Sequence, residues 1–143
     1  MDVMNVEVVV PGTVKPLGLF GPGGDQPFDL SPETLRPLVG ELDSDLRKKV
    51  ARYLRGGVLV IALMEYTEDV LDGQFGVSGG SGIMTDGSYY WRCDAAEYVE
   101  TYGIGLEQSV LDHMERAEWS APPVSQAEAL DIDDYLVRAL RAR

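Results

Sequence analysis

The sequence predicts a single α+β domain, residues 1–143, in which helices pack on one face of a mostly antiparallel sheet. Strand-like apolar segments alternate with capped helical segments, and neither an internal repeat nor a linker divides the chain. The 143 residues are 45% hydrophobic and 25% charged. That composition is typical of a globular domain, and the length is sufficient to bury a core.

The first third of the chain predicts a strand, a loop and a short helix. Val6 to Val10 has a strand pattern that ends at Pro11-Gly12. Glycines and prolines fill Gly12 to Pro27, and we expect this loop to lie against the core. Its apolar contacts would come from Leu17, Leu19, Phe20 and Phe28. Ser31-Pro32 can begin a helix, which Pro37 limits to one turn.

Residues 43–55 show the clearest helical pattern, with Asp43 or Ser44 as the cap and Gly56-Gly57 at the end. One face is apolar. The other face carries a basic island made up of Arg47, Lys48, Lys49, Arg52 and Arg55. The apolar run from Val58 to Met64 then predicts a strand with both faces buried.

A glycine-rich hairpin is predicted from Phe75 to Trp91, with Asp86-Gly87 as a two-residue turn. The run Ser78 to Gly82 indicates a bulge or a close approach of another backbone. Three helices follow the hairpin. The first opens with a capping box of Asp94 and Glu97 and ends at Gly103; the second runs from Leu106 to about Trp119; the third, at about 131–142 with Asp131 as its cap, is expected to be peripheral.

Charge is the most one-sided property of the sequence. The net charge is −12, and eleven acids face a single Lys or Arg, Arg92, between Gly56 and Glu115. Such a surface repels nucleic acid and anionic membranes and attracts basic proteins. We therefore expect a basic protein partner, no nucleic acid and no membrane. A single cysteine, Cys93, allows no intramolecular disulfide, and with an N-terminus unlike a signal peptide it predicts a cytoplasmic protein.

One pattern in the C-terminal half consists of Thr85-Asp86-Gly87, Trp91, Asp94, Tyr98-Val99, Tyr102, Leu106 and His113-Met114. This pattern resembles the C-terminal part of small actinobacterial proteins associated with the immunity proteins of toxin genes. In those proteins the second helix opens with Leu-Pro and carries a Phe, whereas Glu107 and Val110 stand nearby here. The resemblance implies a turn with two capped helices and an immunity-type role. It brings no catalytic residue with it.

Catalytic and metal motifs are incomplete. Ser78 lies in a Gly-x-Ser-x-Gly pattern, but the strand before it and the helix after it that a nucleophile elbow needs are missing. Cys93 and His113 are the only thiol and imidazole, which is too few for a zinc site. The acids of 131–134 lack the glycine and distal glutamate of a calcium loop. We expect no catalytic residue, no cofactor and no metal.

The predicted partner-binding site is the aromatic hairpin with its acidic rim. It consists of Asp86, Tyr89, Tyr90, Trp91, Asp94, Glu97 and Glu100. Rings inside a charged rim are typical of interaction hot spots, although core packing is the alternative for most of these rings. The function predicted is a non-enzymatic acidic protein-binding domain, an immunity-type inhibitor of a basic partner. The alternatives are a small enzyme or small-ligand-binding protein with a site near Gly79–Gly82, and a homodimer through the hairpin.

Overall fold

Residues 14–20 and 30–141 are described by a computed structural model. Within them lie the strands β1 (Lys15–Pro16), β2 (Val58–Ile61), β3 (Tyr66–Glu68), β4 (Gly76–Ser78), β5 (Ile83–Thr85) and β6 (Tyr89–Arg92). The helices are α1 (Pro32–Leu35), α2 (Ser44–Arg55), α3 (Ala95–Tyr102), α4 (Gln108–Arg116) and α5 (Gln126–Arg141). The strand predicted at Val6 to Val10 and the contact predicted for Phe28 lie outside the described residues.

The main sheet has the strand order β1-β6-β5-β2. The pairs β5–β6 and β2–β5 are antiparallel, and the short β1 is parallel to β6. Strands β3 and β4 form a separate antiparallel pair. The predicted α+β class with a mostly antiparallel sheet is therefore confirmed.

The hairpin register differs by one residue from the predicted turn. Thr85 pairs with Tyr90 and Met84 with Trp91, so Gly87 and Ser88 form the tip in place of Asp86-Gly87. The cause is the Asp86 side chain, whose Oδ1 accepts the backbone N–H groups of Ser88 and Tyr89 at 2.8 Å each. This local bonding holds Asp86 beneath the tip.

Helices cover both faces of the main sheet, which corrects the expectation that they cover one. Trp91 points into a large core that it shares with α2, α3 and α4. Its neighbour Tyr90 points to the opposite face, where Ile83 meets Ile132 and Leu136 of α5. Because successive strand residues alternate between faces, the two cores lie on opposite sides of the sheet. The last helix is thus part of the core and not peripheral.

The helix ends follow local capping chemistry. Of the two caps predicted for α2, Asp43 and Ser44, the structure has Asp43, which accepts the N–H of Leu46 at 2.8 Å. Gly103 ends α3 with a φ of 64°, a conformation that glycine adopts without strain. Helix α5 begins five residues before the predicted Asp131 cap. There Ser125 and Glu128 form a capping box, with the Glu128 N–H donated to Ser125 Oγ at 3.1 Å.

Strand β2 is an edge strand, so the expected burial of both faces between Val58 and Met64 is wrong. The strand ends at Ile61. Leu59 is 52% exposed and Met64 is 96% exposed. In the sheet that the described residues form, β2 has a neighbour on one side alone. In the described part of the chain, no helix is long and apolar enough to cross a membrane.

Candidate functional site

Two of the predicted aromatic anchors belong to the core. Trp91 is 1% exposed and Tyr90 is 6% exposed. The indole N–H of Trp91 donates to the carbonyl oxygen of Leu54 at 3.2 Å, and its ring lies 6.3 Å from that of Tyr53. Tyr89 is half-buried beside His113, with their ring centroids 5.1 Å apart. The hairpin therefore does not present the exposed aromatic patch that the sequence predicts.

Asp86 is a buried acceptor and not part of an acidic rim. Its Oδ2 accepts the Tyr53 hydroxyl at 2.5 Å and lies 2.9 Å from His113 Nε2. Burial raises the pKa of Tyr53, and the hydrogen bond to Asp86 raises it further. This carboxylate consequently joins the hairpin tip to α2 and α4. His113 is hydrogen-bonded to Asp86 and, within the described residues, makes no hydrogen bond to Ser78 or Cys93.

Asp94 is bound to Arg92 inside the protein and does not form the predicted capping box. Arg92 Nε donates to Oδ1 at 2.9 Å, and Nη2 donates to Oδ2 at 2.8 Å. Thr67 Oγ1 also donates to Oδ2, at 2.9 Å. Burial alone would lower the pKa of Arg92, but the Asp94 carboxylate raises it, so the guanidinium remains charged. Burial also raises the pKa of the neighbouring Cys93 thiol, which keeps it protonated.

Glu97 and Glu100 form ion pairs with the basic island of α2. Both Oε1 atoms accept from Arg55 Nη2, each at 2.7 Å. Their charge is therefore partly neutralised before any partner arrives, which weakens their predicted role in attracting one.

Ion pairing and burial reduce the number of acidic side chains that are available to a partner. Of the eleven acids between Gly56 and Glu115, three are buried and three are paired with arginines. Five remain, namely Glu65, Glu68, Glu107, Asp112 and Glu115. The negative field on this stretch comes mainly from these five.

Exposed apolar side chains concentrate where the edge strand leads into β3. Five of the seven large hydrophobic residues that are exposed in the described ranges lie between positions 59 and 70. They are Leu59, Leu63, Met64, Tyr66 and Val70, and we call them the edge patch. Exposed apolar side chains that cluster in this way are candidates for an interaction site. The sequence did not predict the edge patch, because Val58 to Met64, which contains three of its five residues, was expected to be a fully buried strand.

A hollow of about 410 Å³ adjoins the edge patch. We call it the β3 hollow; its lining residues are Leu30, Glu65, Tyr66, Thr67, Glu68, Val70, Arg92 and Tyr98. Glu65 and Glu68 are exposed, and Tyr66 is 61% exposed. Since Arg92 is already paired with Asp94, the carboxylates leave the hollow negative. Carboxylates beside phenol rings can accept a lysine or arginine side chain.

The glycines Gly79–Gly82 have a structural role. A side chain at Gly80 would place its Cβ 1.8 Å from Thr67 Oγ1, and one at Gly82 would lie 2.8 Å from the carbonyl oxygen of Ile61. The predicted close approach of another backbone is therefore confirmed. These glycines line neither the β3 hollow nor the cavity near Phe20, so neither cavity supports a ligand site at Gly79–Gly82.

In residues 14–20 and 30–141, no group of three or more His, Cys, Asp or Glu side chains is placed to hold a metal ion.

Comparison with known proteins finds no matching family model, no matching curated protein and no matching solved structure. The resemblance to immunity-associated proteins therefore stays a prediction.

Proposed function

We propose that this chain is a non-enzymatic protein-binding domain that uses the edge patch and the β3 hollow to bind a basic protein. The proposal rests on one observation: the exposed side chains of Tyr66 and Val70 and the carboxylates of Glu65 and Glu68 lie around the same 410 Å³ hollow. Glu65 accepts a hydrogen bond from Ser81 Oγ at 2.9 Å, but neither carboxylate forms an ion pair within the described residues. Apolar contact area would supply most of the affinity, and the carboxylates would steer the encounter and select the partner.

Local charge favours a basic partner. Residues 56–91 contain five acids and neither Lys, Arg nor His. The basic side chain that lines the β3 hollow, Arg92, is paired with Asp94, so it offsets little of the attraction for an approaching cation. The outer edge of β2 lies next to the edge patch and could also accept a strand from the partner through backbone hydrogen bonds.

Charge also argues against a homodimer through this surface. Symmetric pairing of two copies would bring the same acidic surface, with Glu65 and Glu68, to both sides of the interface. Like charges at an interface oppose association, and the net charge of −12 adds long-range repulsion between copies. A second copy is therefore the less favoured occupant.

The partner class implied by the resemblance is a toxin whose active surface is basic, and the mechanism would be occlusion of that surface. A cytoplasmic location belongs to the same proposal and rests on the single cysteine, Cys93. Identification of the partner would test both the toxin assignment and the cytoplasmic location.

The test is capture from the native cell with the tagged full chain at low and moderate salt. We expect one stoichiometric basic protein that is released as the salt concentration rises. The double variant Met64→Ala/Tyr66→Ala should fail to capture it. Leu130→Ala should capture it normally, because Leu130 is also 60% exposed but lies on α5.

Two outcomes would contradict the proposal. In one, the double variant captures the same protein as efficiently as the wild type does. In the other, the chain is recovered alone and sedimentation shows a dimer that Met64→Ala/Tyr66→Ala dissociates, which would assign the edge patch to a second copy.

A further inference from the structure

A second cavity, of about 320 Å³, has no lining residue in common with the β3 hollow within the described part of the chain. It lies between the turn at Gly18–Phe20, the segment before α2 and the start of α4. Its apolar lining comes from Leu17, Phe20, Leu38, Ile104, Leu106 and Val110. This volume is at the lower end of the range for small-molecule sites, which begins at about 300 Å³.

Two carboxylates complete the lining, those of Glu41 and Glu107. Both residues are exposed, and neither makes a hydrogen bond or an ion pair through its carboxylate in residues 14–20 and 30–141. Glu41 lies against Gly105, where an added Cβ would come 1.8 Å from Oε1. Glu107 is the N-cap residue of α4, yet its side chain makes no capping hydrogen bond. Both carboxylates are therefore free to bind a ligand.

The net charge at this cavity is negative. Among the residues that the structure describes, no lysine, arginine or histidine lines it. The N-terminus of α4 contributes a partial positive charge of about half a unit, which the two full negative charges exceed. A ligand that fits must pair an apolar body with a positive group.

We propose that this cavity binds a small amphipathic organic cation: an apolar body that carries one primary ammonium group. The apolar body would contact Leu17, Phe20 and Ile104, and the ammonium group would lie near Glu41 and Glu107. This site is independent of the proposed protein-binding function, since different residues form the two surfaces.

Three probes with the same apolar body test the assignment: 3-phenylpropylamine, 3-phenylpropan-1-ol and 3-phenylpropanoate. Each is titrated into the full chain at low salt, and the methyl NMR signals of Ile104, Leu106 and Val110 are followed. We expect the amine to bind about threefold to tenfold more tightly than the alcohol, as two partly exposed carboxylates allow. The propanoate should bind more weakly than either.

Two matched double variants test whether Glu41 and Glu107 cause the preference for the amine over the alcohol. Glu41→Gln/Glu107→Gln should make the amine and the alcohol bind equally while alcohol binding itself is kept. Glu65→Gln/Glu68→Gln removes the same charge from the β3 hollow and should leave the preference for the amine intact. The proposal is overturned if the wild type shows no preference for the amine, if none of the probes shifts these methyl signals at millimolar concentration, or if both double variants reduce the preference equally.

Discussion

Nε2 of His113 lies 2.9 Å from Oδ2 of Asp86, a carboxylate whose side chain is only 1% exposed to solvent. The same oxygen accepts the hydroxyl of Tyr53, and the other oxygen accepts two backbone N–H groups of the hairpin tip. One buried side chain therefore connects β5, β6, α2 and α4. This explains why a residue expected in a binding rim contributes to the stability of the fold.

Asp86→Ala should lower the free energy of unfolding by about 3 kcal/mol, because the Tyr53 hydroxyl and the turn N–H groups lose their acceptor. His113→Gln should lower the free energy of unfolding by less, about 1 kcal/mol, since His113 is partly exposed and the buried carboxylate keeps its other donors. Urea denaturation followed by circular dichroism measures both. The control is Asp131→Ala on the exposed surface of α5. An equal loss in the control would contradict the role given to Asp86.

Asp69 makes a pH-dependent contribution to stability. Burial alone would raise its pKa, but the hydroxyl of Tyr102 and the backbone N–H groups of Leu71 and Gln74 lower it overall. A pKa that is lower in the folded state stabilises the protein above the unfolded value, about 3.9, and this stabilisation is lost as the pH falls through the folded value. Asp69→Asn should therefore be less stable than the wild type by about 1–2 kcal/mol at pH 7.

The difference between Asp69→Asn and the wild type should shrink at pH 3, because this pH lies below the unfolded value of about 3.9 and protonation of Asp69 in the unfolded chain removes part of the stabilisation. Urea denaturation at pH 7 and pH 3 measures it, with Asp131→Asn as the control for general acid effects. A difference that stays constant between the two pH values would show that ionisation of Asp69 does not contribute.

Gly82→Ala should destabilise the fold by about 1–3 kcal/mol, because its Cβ would lie 2.8 Å from the Ile61 carbonyl oxygen and 3.1 Å from Cys93 Sγ. Gly56→Ala is the matched control. There the nearest atom is 3.4 Å from the added Cβ and φ is −83°, so the change should be neutral or slightly stabilising. Thermal unfolding of the two variants compares them directly. Equal melting temperatures would show that β2 moves aside without cost.

Charge reversal should separate the acids that attract a partner from those already paired. Once the partner is captured, Glu65→Lys/Glu68→Lys should slow its association about tenfold at low salt, as measured by stopped flow. Glu97→Lys/Glu100→Lys should slow it less, because these carboxylates already face Arg55. The rates should converge at high salt. An equal effect of the two pairs at low salt would contradict the location of the site at the β3 hollow.

The sequence by itself determined the features that depend on a few neighbouring residues. The Asp43 cap, the end of α3 at Gly103 and the tight packing at Gly82 follow from capping chemistry and from the space that glycine leaves free. Strand and helix periodicity likewise predicted the α+β class.

Only the tertiary structure decided which apolar residues are buried and which acids are free. Trp91 is buried because α2 covers its face of the sheet, and Leu59 is exposed because β2 is at the edge. Asp94 is paired with Arg92, and Glu97 is paired with an arginine 42 residues earlier in the chain. Local patterns give an element its apolar and polar faces. Which face another element covers depends on strand order and long-range packing, and no short stretch of sequence carries that information.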